Sequence, residues 1–321
     1  MVKLMSNNYL DFLAAIKNEV VRVPEVSISE KALPYGQQLR FTRGEETVIL
    51  SIYNGKRGIK TVWGGANDDL REALSTQMES LLIKYTGVQP AAKQLPACSI
   101  LEECAGFTGT WAGSDESGKG DFFGPLVVAA VAVNKAVAER LRVAGVKDCK
   151  LLSDKEILRL EPIIKAIALE FVVLSMKPEI YNYRYAQLRL QNKNLNNLLA
   201  AGHVAAIDKL LAAEANCKMV LVDQFSQNSG IKRALIAKYP EVIVIEKTKA
   251  EEDIAVAAAS ILARANFLSV MQELSVIAGY ELPKGGGAQA TKVAKLLSEQ
   301  QGLPFLDKLV KKHFANYKKI N

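Results

Sequence analysis

Residues 113–131 read GSDESGKGDFFGPLVVAAV, and the two halves of this stretch point to different jobs. The second half, continuing as LVVAAVAVN (126–134), is an unbroken apolar run, as expected of a strand covered on both faces. The first half sets Asp115 and Glu116 side by side, ahead of Gly118, Lys119, Gly120 and Asp121. Gly113, Gly118 and Lys119 match the spacing G-x-x-x-x-G-K of a phosphate-binding loop, but that reading fails on two counts. The next residue is Gly120, which has no hydroxyl to hold a magnesium ion. Two carboxylates inside the loop would also repel the phosphates it should cradle. Adjacent carboxylates at a strand end, followed by a flexible turn, suit a hard divalent cation better.

Two further acids fall at similar places downstream. Asp223 ends the apolar run VLVD, and Glu251 follows EVIVIEK (241–247) at the start of a helical stretch. Taken alone, Asp223 suits a turn or a helix cap. Glu251, Glu252 and Asp253 suit a helix N-terminus in the same way. Taken with Asp115 and Glu116, they make the set that a two-metal centre requires, carboxylates drawn from several elements.

Outward from the motif, FVVLSMK (171–177), MVLVDQF (219–225) and EVIVIEK are further strand candidates. Helical stretches separate them, notably NLNNLLAAGHVAAIDKLLAAEA and DIAVAAASILARANFLSVMQEL. Strands alternating with helices predict an α/β domain with a central sheet over residues 106–321. Upstream, residues 7–22 have helical apolar spacing. Three strand-like runs follow, QQLRFTRG, ETVILSIYNG and GIKTVWGG, and a second helix closes at Gly87. This pattern predicts a small α+β domain over 1–86, with an antiparallel meander. VQPAAKQLPACS, within 87–105, reads as a linker.

At 321 residues, two domains are the natural expectation. The balance of 49% hydrophobic to 23% charged residues is that of a globular protein. No apolar run reaches the roughly 18 residues of a membrane span, and the N-terminus has no signal-peptide pattern, so a cytoplasmic location with no membrane contact is expected. Cys98, Cys104, Cys149 and Cys217 form no C-x-x-C pair, and with only two histidines a structural zinc site is not expected. The net charge of +7 permits a polyanionic partner. Residues 301–321 carry five Lys/Arg against one Asp/Glu, which places part of the excess on an expected C-terminal helix, LDKLVKKHFANYKK. That helix is open to two readings, a solvated basic face or a phosphate contact. His203, in an Ala/Leu-rich stretch, is expected as a packed helix residue. Lys56, Arg57 and Lys60 beside Tyr53 and Trp63 suit a nucleic-acid surface, or a solvated meander with two core aromatics.

GSDESGKGDFFGPLVVAAV resembles the first active-site motif of the type 2 ribonucleases H. LVDQF resembles their second acidic strand, and KTKAEEDIAVAAASILAR their third motif. The extra N-terminal domain, the stretch PEIYNYRYAQL before NLNNLLAAGHVAAI, and Glu in the third motif bring it nearest to the bacterial ribonucleases HIII. The resemblance implies a ribonuclease H-like catalytic domain with a central mixed sheet, preceded by a domain like the TATA-box-binding protein fold that helps hold substrate. It implies an endoribonuclease that cuts the RNA strand of RNA/DNA hybrids, acting as a monomer and leaving 5′-phosphate and 3′-hydroxyl ends. Asp115, Glu116, Asp223 and Glu251 match the four catalytic carboxylates, which in the family hold two divalent ions, magnesium with manganese as a substitute. Glu252 remains the alternative to Glu251, and the spacing from Glu251 to VAAASI is one residue shorter than in relatives. Gly118, Lys119 and Gly120 match the turn that meets the ribose beside the cut. Lys150 is a further substrate contact, although Asp148-Cys149-Lys150 has Cys where the family commonly has Ser. The competing readings are a DNA nuclease or recombinase of the same superfamily, and a hybrid-binding protein without catalysis.

Overall fold

A computed structural model of the chain describes residues 7–44, 46–55, 58–65, 69–86, 107–226 and 230–320. The chain divides into two compact units, Met1–Gln94 and Leu95–Asn321. The stretch expected to be a linker, 87–105, lies outside the described residues.

The first unit runs α1 (Asn7–Val20), β1 (Ser27–Leu33), β2 (Gly36–Arg43), β3 (Glu46–Gly55), β4 (Gly58–Gly65) and α2 (Asp69–Thr86). Its strands form one antiparallel meander in chain order. Where three strands were expected there are four. SISEKAL forms an edge strand whose side chains are nearly all exposed or half-exposed, so no apolar alternation announces it. On β2 and β3, alternate residues Leu39, Phe41, Val48, Leu50 and Ile52 point to one face. There they pack against Tyr9, Phe12 and Ile16 of α1 and Leu70, Leu74 and Met78 of α2. Trp63 joins this core, tilted on Phe41 at 6.4 Å between ring centroids. Lys31, Arg40 and Lys60 are exposed and Tyr53 is half-buried, and strand alternation sends all four to the other face. Lys56 and Arg57 lie outside the described residues.

The second unit contains β5 (Thr110–Ser117), β6 (Leu126–Val133), α3 (Lys135–Val143), α4 (Asp154–Ile167), β7 (Glu170–Met176), α5 (Pro178–Leu190) and α6 (Leu195–Ala213). It continues through β8 (Cys217–Asp223), α7 (Ile231–Lys238), β9 (Ile243–Lys247), α8 (Ile254–Ala278), α9 (Ala288–Gln301) and the short α10 (Leu303–Leu306). The sheet order is β7-β6-β5-β8-β9. Pairing is antiparallel from β7 to β5 and parallel from β5 to β9, so the sheet is mixed as expected. The apolar run of β6 has its explanation in two cores. Val127, Ala129, Val131 and Val133 pack with α8 on one face, while Val128, Ala130 and Ala132 pack with Ile207 and Leu210 of α6 on the other. Helix α8 is long and apolar enough to cross a membrane by length and composition, yet 78% of its most apolar window is buried inside the protein. It is apolar all round because it is surrounded.

The expected C-terminal helix LDKLVKKHFANYKK does not form. After α10 the chain runs through turns, pairs Val310 with Phe123 in an isolated antiparallel bridge, and ends in a single 3₁₀ turn, Tyr317–Lys319. Lys311 is fully buried, and its ammonium donates to the carbonyls of Asp121 and Gly124, both at 2.8 Å. Burial pushes its pKa down to about 7. The Asn182 side chain donates to the Val310 carbonyl and accepts from the Lys312 N–H. These bonds to distant residues replace the helical ones, so the basic residues form no single solvated face.

Candidate active site

Strand β5 sits at the centre of the mixed sheet, and its C-terminal end carries Asp115 and Glu116. Because β5 and β8 are parallel, with Ser114 registered on Val222, the next residues on the two strands are Asp115 and Asp223. Gly113 explains how the third segment arrives. A Cβ there would collide with the backbone of Ala255 and Val256, so only glycine lets β5 touch the start of α8. The buried Trp111 indole donates to Asp253, which also caps α8 by accepting the Ala255 N–H. That anchor presents the 3₁₀ turn Ala250–Glu252 beside the strand ends. Within the turn, the Ala250 N–H donates to Asp223 at 3.2 Å. Glu251 is half-buried and its charge is felt at Asp223, whereas Glu252 is exposed.

Four carboxylates thus converge from three segments, and their electrostatics record the crowding. Asp115 has a pKa well above the ordinary range, from burial first and then from the negative charges of Glu116 and Asp223. Asp223 is raised as well, by burial and by Glu251 and Glu116. Burial also works to raise Glu116, but His203 and Lys119 outweigh it and bring that carboxyl below its usual value. Lys150 Nζ lies 3.2 Å from Glu251 Oε1. Burial would lower its pKa, but the bond to Glu251 and the charges of Asp148 and Asp115 raise it instead.

Among the described residues, no three His, Cys, Asp or Glu side chains stand grouped closely enough to hold a metal ion as they are. Glu251 is turned onto Lys150, and Glu116 onto His203 and Lys119. The donor set nevertheless fits hard divalent cations. It is all carboxylate oxygen, and the raised acids mark a surplus of negative charge that a cation would neutralise.

Gly118 begins the turn after β5 with φ of +89°, and a Cβ there would strike the Pro125 carbonyl. Lys119 Nζ sits 3.6 Å from Glu116 Oε1 and 5.4 Å from the centre of the Phe225 ring. Nothing crowds Gly120. Asp121, the remaining acid of the motif, accepts the Gly285 N–H at 2.6 Å. Lys311 grips the rest of this loop.

Cys149 packs against the core, while Lys150 projects toward Glu251. Burial pushes the Cys149 and Cys217 thiols up to about 11, leaving both inert at neutral pH. Cys98 and Cys104 lie outside the described residues. His203 is packed, as expected, but it also touches the acidic cluster. Its Nδ1 lies 2.8 Å from Ser114 Oγ and its Nε2 lies 3.2 Å from Glu116 Oε2. Only the parity of the sequence hints at this, since Ser114 and Glu116 are two apart on β5 and so share a face.

With this geometry in place, the comparisons agree on one family. The family model described as Ribonuclease HII matches residues 112–317. A ribonuclease HIII of Enterococcus faecalis is 30% identical over 94% of this chain and 98% of its own length. One from Protochlamydia amoebophila is 41% identical over 63% of this chain and 65% of its own. The solved structure of Bst-RNase HIII in complex with Mn2+ superposes with a TM-score of 0.61 at 27% identity, covering 99% of this chain and 96% of the other. The matched span carries all four carboxylates and the glycine turn, and the alignment to the Enterococcus faecalis protein takes in the N-terminal unit too. This chain therefore belongs to the ribonuclease HII family and, within it, to the ribonucleases HIII.

Proposed function

We propose that this protein is an endoribonuclease that hydrolyses the RNA strand of RNA/DNA hybrids in the cytoplasm, leaving 5′-phosphate and 3′-hydroxyl ends. One observation carries the reading: four carboxylates from three segments meet at the end of a parallel strand pair, next to a left-handed glycine turn. Asp115, Glu116, Asp223 and Glu251 are the residues that would hold two divalent ions, magnesium or its substitute manganese. When bound, such ions supply Lewis acidity, which acidifies the attacking water and neutralises charge on the leaving 3′-oxygen.

The chain's own residues do the rest. Burial and the negative charges of Glu116 and Asp223 hold the Asp115 carboxyl above its ordinary range, and a bound cation would offset those charges. Glu116 is kept ionised by His203 and Lys119. The turn Gly118–Gly120 lets backbone groups come close to a ribose, whose 2′-hydroxyl distinguishes RNA from DNA. Lys119 and Lys150 stand beside Glu116 and Glu251 and would meet phosphates of the substrate. The N-terminal unit, a four-stranded meander backed by two helices, would be the domain like the TATA-box-binding protein fold. Its exposed Lys31, Arg40 and Lys60 suit the backbone of a duplex.

The test is a cleavage assay on three duplexes, an RNA/DNA hybrid, plain DNA, and DNA with one embedded ribonucleotide, with and without a chelator. Metal-dependent cutting of the hybrid, with plain DNA intact, is expected. Equal cutting of plain DNA would move the protein to the DNA nucleases, and hybrid binding with no cutting would make it a binding protein.

A further inference from the structure

We infer that His203, oriented by Ser114, is a positioning residue that fixes the Glu116 carboxylate for a divalent ion. The inference rests on the proposed metal role of the acidic cluster.

His203 stands on α6, and its side chain is wholly out of solvent. Its ring is held from three sides. Phe225 stacks on it at 5.5 Å and 21° between planes. Ser114 Oγ meets Nδ1, and the same oxygen lies 2.8 Å from the Ala129 carbonyl, which ties the hydroxyl to β6. Ser114 is also fully buried, so neither partner has water as an alternative. Nε2 is left with one direction to point, toward Glu116 Oε2. An ionised carboxylate only accepts, so Nε2 carries the hydrogen of this bond.

A packed core histidine would be satisfied by Ser114 and a second internal carbonyl. Here the second partner is a carboxylate of the acidic cluster. Glu116 needs such a guide more than its neighbour does. Asp115 has a short side chain and accepts the Glu116 N–H at 2.8 Å, which fixes its orientation. Glu116 has an additional rotatable bond, and its only other described partner is Lys119, at 3.6 Å and partly exposed. With Oε2 pinned on His203, Oε1 is the oxygen free to turn from Lys119 to a cation. Partners that orient a ligating side chain govern metal affinity without touching the metal.

The test is Mn2+ binding to the full chain without nucleic acid, by calorimetry or by loss of the free-ion resonance signal, with thermal melting as the fold control. His203→Ala is expected to weaken Mn2+ binding roughly 10- to 100-fold. Ser114→Ala removes only the hydroxyl that orients the ring and shifts affinity in the same direction by less. In a Glu116→Gln background, His203→Ala adds no further loss, because it acts through that carboxylate. If the unaltered chain binds no Mn2+, the metal reading of the site falls, and this inference with it. If it binds Mn2+ and a folded His203→Ala protein binds it equally well, His203 is a core residue and the inference alone is overturned. Should His203→Ala fail to fold, unchanged affinity in Ser114→Ala overturns the inference in its place.

Discussion

The two sheets of this molecule are built on opposite plans. The N-terminal sheet is wholly antiparallel and takes both of its helices on one face, leaving Lys31, Arg40, Tyr53 and Lys60 on the other. The C-terminal sheet is mixed and has a core against each face. A sheet covered on one side can offer its bare face to a partner. A sheet covered on both sides has only its edges and strand ends to offer, and there the carboxylates gather. On the proposed function, surface and chemistry are thereby separated, one to each unit.

That division predicts effects of descending size. Asp115→Asn, at the strand end, is expected to cut turnover by roughly three orders of magnitude, because on the proposed function it removes charge that would hold the metal. Binding of the hybrid should persist, as a gel-shift or anisotropy titration would register. Near-normal turnover would remove Asp115 from the mechanism. Glu251→Gln should cost on the order of 100-fold, by the loss of a ligand. Glu252→Gln, on an exposed side chain, should stay within about twofold. The reverse ranking would shift the ligand by one residue.

Removing residues 1–86 probes the other plan. The catalytic unit keeps its own cores, which share no residue with that of the first unit, so it should still fold. Its KM for hybrid should rise about tenfold with kcat changed much less, the signature of lost uniform binding. Unchanged KM and salt dependence in a folded truncation would deny the first unit its role as a clamp. The smallest effect belongs to single cations on the bare sheet face. Arg40→Ala should flatten the plot of log affinity against log salt by about one unit of slope. A loss of affinity with no change in slope would mean that Arg40 meets no phosphate.

What could be read in advance follows from how local each feature is. Asp115, Glu116, Gly118 and Lys119 lie within five positions, so their grouping shows in the sequence. Strand β6 shows itself by an apolar run that only a doubly covered strand needs. His203 did not show itself, because its partners lie 87 and 89 positions away and its surroundings look like ordinary helix core. Strand β1 escaped for a different reason: an edge strand with exposed side chains has no pattern to read. The segment after Leu306 misled because helical spacing and basic residues are common in any chain, while the bonds that unwind it come from Asp121, Gly124 and Asn182.

Lys311 also sets an order of events. It holds the carbonyl of Asp121 across 190 positions of chain, and Leu309 accepts the Gly124 N–H beside it. During synthesis, the loop that follows the acidic strand emerges long before the residues that brace it. Contacts of such long range form late, since the intervening chain must first give up its freedom. The chain therefore carries a delay in its own connectivity: Asp115 and Glu116 can be in place on the sheet while the turn beside them still waits for its brace.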